Sequence, residues 1–256
     1  MKMYEIISSV KRDYIADLAR QNKRTDGRTL DRYREVSVET GPIKTAQGSA
    51  LVKIGNTQVL AGVKIERGEP FPDTPNSGVL MVNAELRPIA SPTFELGPPD
   101  ENSIELARVV DRGIRESETI DLDKLGITPG EEVWMVYIDL HALDYDGNLI
   151  DAASLAATTA LWNIKKPQVD GWTLDEFPVS KKPIAVTIAK INGKLMVDPS
   201  LDEENVMDAR LTITTVEDGS ICAMQKGGAG YLTVEEIKAA YELARAKAAE
   251  LREHLG

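Results

Sequence analysis

Cysteine is nearly missing from this 256-residue chain; Cys222 stands alone, so no internal disulfide can form and a stapled scaffold is excluded. Histidine is almost as scarce, and His141 and His254 are too few for a histidine-rich metal centre. Aromatic residues make up 5%, which leaves few platforms for stacking bases, so base-specific reading of a nucleic acid is not expected. No long apolar run occurs; stretches such as 133–138 are far too short for a membrane helix. Residues 1–10 carry Lys2 and Glu5 and lack the apolar stretch of a secretory signal, so a cytoplasmic protein with no membrane role is expected. Basic residues are outnumbered 30 to 41, giving a net charge of −11 and a pI of 4.8. Any nucleic-acid contact must therefore come from local arginine clusters working against the global field.

What remains is the composition of a folded, acidic protein, 42% hydrophobic and 28% charged, long enough for one large or two ordinary domains. Ile7, Val10, Tyr14 and Leu18 recur at helical spacing, which predicts an N-terminal helix ending near Arg20 with that stripe buried. A polar loop with the turn pair Asp26-Gly27 then presents Arg24 and Arg28. Strand-like runs at 36–40, 48–54, 59–65 and 79–86 predict a meandering antiparallel sheet. Ile104, Leu106, Ala107, Val110 and Ile114 predict a helix whose other face carries Arg108, Arg112 and Arg115. A strand at 132–141, the turn 144–148 and an Ala-rich helix at 152–162 close the first half.

Pro167, Gly171 and Pro178 mark the expected linker. The second half begins with strands at 183–191, 194–197 and 209–216, joined by the hairpin pair Asn192-Gly193 and an acidic segment from Asp198 to Asp208. A strand at 220–225 runs into Gly227-Gly228-Ala229-Gly230, and Thr233 with Glu236 forms a capping box for a last helix ending near His254. Strands followed by helix, twice over, predict two α+β halves. The expected division is an N-terminal helix in 1–23, a first domain in 24–166, a linker in 167–182 and a second domain in 183–256.

Several motifs have plain readings. The glycine run lacks the lysine and hydroxyl spacing of a phosphate loop and reads as a turn needing positive φ. His141 reads as a core or turn residue, and Cys222 as buried and inert. The acidic segment 198–208 reads either as a solvated loop or as a metal site. Arg108, Arg112 and Arg115 can pair with Glu105, Asp111 and Glu116 on their own helix, or can bond the phosphodiesters of a passing strand.

Together the motifs resemble the RNase PH-like exoribonucleases that build the rings of the exosome. Arg24-Thr25-Asp26-Gly27-Arg28 looks like the family's R-x-D-G-R motif, and Gly48-Ser49-Ala50 with Gly55-Asn56-Thr57 and Val59 resembles its first hairpin. The helix 108–115 is similar to its arginine helix, and 198–204 to its acidic loop. The resemblance spans about 24–251. It implies an RNase PH fold (ribosomal protein S5 domain 2-like) with two βα halves in a pseudo-symmetric protomer. The N-terminal helix, the turn 144–148 and Val197-Asp198-Pro199-Ser200 look most like the non-catalytic subunit of the archaeal ring.

Active members of this family let inorganic phosphate attack the 3′-terminal linkage of RNA, seating it with a hydroxyl residue and an arginine at the start of the Ala-rich helix. The matching positions here are Leu149 and Ile150, which offer neither a side-chain hydrogen bond nor a charge. Asp144, Asp146 and Asp151 surround the same helix start, with Asp151 expected to cap it and repel an anion. Active members also hold two aspartates six positions apart, thought to bind a divalent cation; here the pair is Asp198 and Glu204, vestigial in geometry.

The resemblance thus implies no catalytic residue, cofactor or metal in this chain. It implies a hexameric ring with a catalytic RNase PH-like sister, a trimer of heterodimers contacted by RNA-binding cap proteins. Arg112 and Arg115 match positions lining the path of single-stranded RNA, and Arg108 looks structural. Two rival readings stand beside this one: an active Mg²⁺-dependent phosphorolytic 3′–5′ exoribonuclease using Asp198 and Glu204, and a ring scaffold that never touches RNA.

Overall fold

A computed structural model of the chain describes residues 9–255. Helix α1 (Ser9–Arg20) buries Ile15 and Ala19, while Tyr14 is exposed. The expected stripe is therefore displaced by one position. Both stripes fit a 3.6-residue period; the one that is buried meets Ile191, Met196 and Val206. Ile7 lies outside the described residues, and so does the side chain of Val10.

The first sheet contains β1 (Val36–Thr40), β2 (Gly48–Ile54), β3 (Thr57–Gly68), β4 (Val79–Glu85), β5 (Gly126–Thr128) and β6 (Glu132–Asp144), in the order β1-β2-β3-β6-β4 with β5 beside β6. It is not the expected antiparallel meander, because β4 runs parallel to β6, with Val79 opposite Met135 and Glu85 opposite His141. Helix α2 (Glu101–Glu116) lies between these two strands in sequence, and a strand, helix, strand connection returns the chain in the same direction. Ala50, Val52, Val59, Ala61, Val63, Val136 and Ile138 alternate into the core.

Helix α3 (Leu149–Trp162) is buried from Ile150 to Leu161, a helix apolar on nearly every side that must lie inside the molecule. It contacts β2 and β3 and, beyond them, β7 (Ile184–Ile191) of a second sheet. That sheet adds β8 (Lys194–Val197), β9 (Ala209–Thr215) and β10 (Ile221–Gly227) in the order β10-β9-β7-β8, all antiparallel. Asn192 and Gly193, both at positive φ, join β7 to β8 in the predicted tight hairpin. Helix α5 (Val234–Arg252) starts at the predicted capping box, with Thr233 Oγ1 accepting the Glu236 N–H at 3.2 Å, and packs Ala240, Ala244 and Ala248 inward.

Strand β8 pairs only with residues 188–191 of β7. The remaining half of β7 is closed by side chains of α3. Ser154 Oγ accepts the Ala185 N–H at 3.3 Å and Asp151 Oδ2 accepts the Thr187 N–H at 3.0 Å. The connection between the sheets is docked as well, since Trp172 packs 5.2 Å from Trp134 and Phe177 is buried.

Candidate functional site

The turn between β6 and α3 meets the acidic segment 198–208 at one place. That segment is not a solvated loop: most of it is a short helix, α4 (Leu201–Val206), with a capping box between Ser200 and Glu203. Gly147 makes the meeting possible, because a Cβ there would lie 2.5 Å from the Leu201 nitrogen and its φ is +87°. The Leu201 N–H donates to the Asp146 carbonyl at 3.1 Å, fastening α4 to the turn.

Asp198 lies at the centre, fully buried and in the left-handed region at φ 48°. Arg34 donates to both its oxygens, Nη2 to Oδ1 at 2.7 Å and Nε to Oδ2 at 2.9 Å, Arg28 Nη1 adds 2.7 Å to Oδ2, and Asn148 Nδ2 2.9 Å to Oδ1. Burial works to raise the carboxyl's pKa, but the hydrogen bonds and charge of Arg34 prevail and hold it below the usual range. Next to it, Arg24 spans the Glu203 carboxylate at 2.9 and 2.5 Å, both residues buried, and donates to the carbonyls of Val197 and Asp198. The R-x-D-G-R segment is thus an internal clamp on the acidic segment.

At the start of α3 the N-cap Asn148 sits at φ 59° and no side chain caps the helix. Asp151 does not cap it, contrary to expectation. It is buried and accepts from Tyr33 Oη at 2.5 Å, Asn148 Nδ2 at 2.8 Å and Thr187 Oγ1 at 2.7 Å, besides the Thr187 N–H. Burial pushes its pKa up to about 6 despite those donors. Leu149 is half-buried and Ile150 buried in the main core. Asp144 is exposed, and Asp146 accepts from Asn56 at 3.1 Å.

Glu204 completes the arrangement, accepting the Asn148 N–H at 2.8 Å and the Tyr145 hydroxyl at 2.7 Å. Burial raises its pKa, opposed by those donors and by the charges of Arg210 and Arg34. Asp198 and Glu204 are therefore brought together through Asn148. They do not fit a divalent cation, because both oxygens of each already accept hydrogen bonds, and three of the donors to Asp198 are guanidinium N–H groups. Arg24, Arg34, Tyr33, Tyr145, Asn148 and Arg210 carry much of this geometry and were not singled out for it by sequence. The signals available were the R-x-D-G-R motif for Arg24 and the turn 144–148 for Tyr145 and Asn148.

The arginines of α2 differ from one another. Arg112 is exposed and has no side-chain partner among the described residues. Arg115 is held by Asp111 at 2.7 and 3.0 Å and by the Leu80 carbonyl at 3.0 Å. Arg108 is exposed, and Glu105 pairs with Arg210 at 2.5 Å rather than with Arg108.

Of the plain sequence readings, that of the glycine run holds, while those of His141 and, in its burial, Cys222 do not. His141 is neither a core nor a turn residue but a half-exposed member of β6, with Nδ1 3.4 Å from Glu85. Cys222 is half-buried with its thiol pushed up to about 11 by burial. Gly228, at φ 79°, makes the turn expected of the glycine run.

Among the described residues no helix is long and apolar enough to cross a membrane. The chain matches the 3′ exoribonuclease family, domain 1 over residues 32–167 and domain 2 over 182–247. It is 53% identical to the exosome complex component Rrp42 of Thermococcus onnurineus, over 99% of this chain and 97% of that protein. With the Rrp42 component of Methanocella arvoryzae the figures are 56%, 98% and 97%. A chain of the Archaeoglobus fulgidus exosome with RNA bound to the active site superposes with a TM-score of 0.91 at 52% identity, covering 96% of this chain and 98% of that one. With its two sheets, the helix between them and the clamped acidic segment, this chain belongs to the RNase PH family of 3′ exoribonucleases.

Proposed function

We propose that this chain is the non-catalytic subunit of an archaeal exosome ring. It scaffolds a catalytic RNase PH-type sister in a trimer of heterodimers and contributes to the grip on RNA during phosphate-dependent 3′–5′ degradation in the cytoplasm. RNA-binding cap proteins would join the same ring, and no membrane is involved. The protomer divides into 1–23, a first domain at 24–166, a linker at 167–182 and a second domain at 183–256. Likeness to exosome components over nearly the whole chain supports the assembly.

The observation that carries the non-catalytic reading is the start of α3, where Leu149 and a core-buried Ile150 stand and neither can hold an anionic nucleophile. The rival reading, a Mg²⁺-dependent enzyme using Asp198 and Glu204, meets two carboxylates already committed to protein donors. Incubated alone with 3′-ended RNA, phosphate and Mg²⁺, the chain is expected to release no nucleoside diphosphates. Robust release by chromatography of the products would overturn the reading.

Within the ring, Arg112 and Arg115 hold RNA through its phosphates. Arg112 is the better placed, being exposed and unpaired among the described residues, whereas Arg115 shares its fork with Asp111. Replacing both with Ala should weaken binding by the assembled ring across all sequences and lower the salt slope by roughly one to two, one phosphate for each arginine. Single replacements should place most of that loss on Arg112. Unchanged affinity and salt dependence in a normally assembled ring would take both arginines off the RNA path, leaving Arg115 a helix-surface ion pair with Asp111 and Arg112 a solvated side chain.

A further inference from the structure

At the start of α3 the N-cap residue makes no side-chain cap hydrogen bond, and the charges of Arg34 and Arg210 both act on the Glu204 carboxylate that lies beside it. Arg210 spends Nη2 on Glu105, while its buried Nε has no hydrogen-bond partner among the described residues. An anion is already there. The Glu204 carboxylate accepts the Asn148 N–H and the Tyr145 hydroxyl, and α4, which carries it, is fastened to the turn by the Leu201 N–H on the Asp146 carbonyl.

We propose that Glu204 is a built-in anion whose carboxylate fills the seat at the start of α3 and so excludes inorganic phosphate from it. This deepens the non-catalytic reading and rests on it. Phosphate is kept out by occupation as well as by the missing side chains at 149 and 150, so restoring those two alone leaves the seat filled. Truncating Glu204 should uncover the Asn148 N–H and the Tyr145 hydroxyl together, two donors lying in the positive field of Arg34 and Arg210 and suited to an oxyanion.

The test is thermal melting of the full-length chain, its Glu204→Ala variant and its Glu204→Gln variant in increasing phosphate, against chloride at equal ionic strength. Glu204→Ala should gain stability saturably, by roughly 5–10 °C at about a hundred times its apparent Kd. The unaltered chain, with its carboxylate in place, and Glu204→Gln, which still fills the space, should not respond. A saturable response of the unaltered chain, no response of Glu204→Ala, or an equal response of Glu204→Gln would each overturn the proposal. Should Glu204→Ala not fold in chloride, refolding in phosphate is expected to restore a cooperative melt, and failure in both buffers would count against the seat. A variant that ignores phosphate while the unaltered chain stays inert on RNA removes only the role of Glu204. Release of nucleoside diphosphates by the unaltered chain removes the non-catalytic reading itself.

Discussion

Replacing Asp198 with Ala is expected to destabilise the chain by roughly 3–5 kcal/mol, the range for removing one partner of a buried ion pair. The substitution strands the Arg28 and Arg34 guanidiniums, each with a side chain 10% exposed, together with the Asn148 amide. Alanine also tolerates the left-handed backbone at φ 48° less well than aspartate, which adds to the loss. Asp198→Asn keeps the shape and the backbone preference but not the charge, so it should lose less. Because this carboxyl titrates below its unfolded value, its contribution is present above about pH 3.9 and is lost as pH falls through the lower folded value. Urea melts at pH 7 measure the effect as a drop in midpoint at unchanged slope. A loss below about 1 kcal/mol would mean that water replaces the missing carboxylate.

Asp151 is expected to act with the opposite sign. Its pKa in the folded chain, about 6, exceeds the unfolded value near 3.9, so the folded state binds the extra proton between these limits. Stability from this group is therefore complete below about pH 3.9 and is lost as pH rises through 6, a change of about 3 kcal/mol. Asp151→Asn cannot titrate. The difference in unfolding free energy between the two proteins, followed from pH 4 to pH 7, should change by most of that amount, about 2 kcal/mol, in favour of the variant as pH rises. A flat difference would show that the donors from Tyr33, Asn148 and Thr187 hold the carboxylate ionised throughout.

Local chemistry made much of the fold legible before any coordinates. The Asn192-Gly193 turn and the Thr233-Glu236 capping box are decided by residues two or three apart, and both stand where expected. The parallel pairing of β4 with β6 was hidden because strand direction follows from how α2 crosses the sheet, which no alternation pattern within a strand records. The buried face of α1 was missed for a similar reason, since its partners lie in β7, β8 and α4. At the site, the apolar pair Leu149 and Ile150 could be read directly. The commitment of Asp198 could not, because Arg34 and Arg28 reach it from 164 and 170 positions away.

The half of β7 that β8 leaves uncovered has a consequence for how the molecule comes apart. Two of its amide hydrogens rest on Ser154 and Asp151, side chains of the helix that also packs against the first sheet. Parting α3 from β7 would therefore bare two strand donors and a titratable carboxyl in the same step, with no partial separation that keeps them satisfied. The two sheets are bound into one cooperative unit at this seam, and a loosening that begins in either will be felt at once in the other.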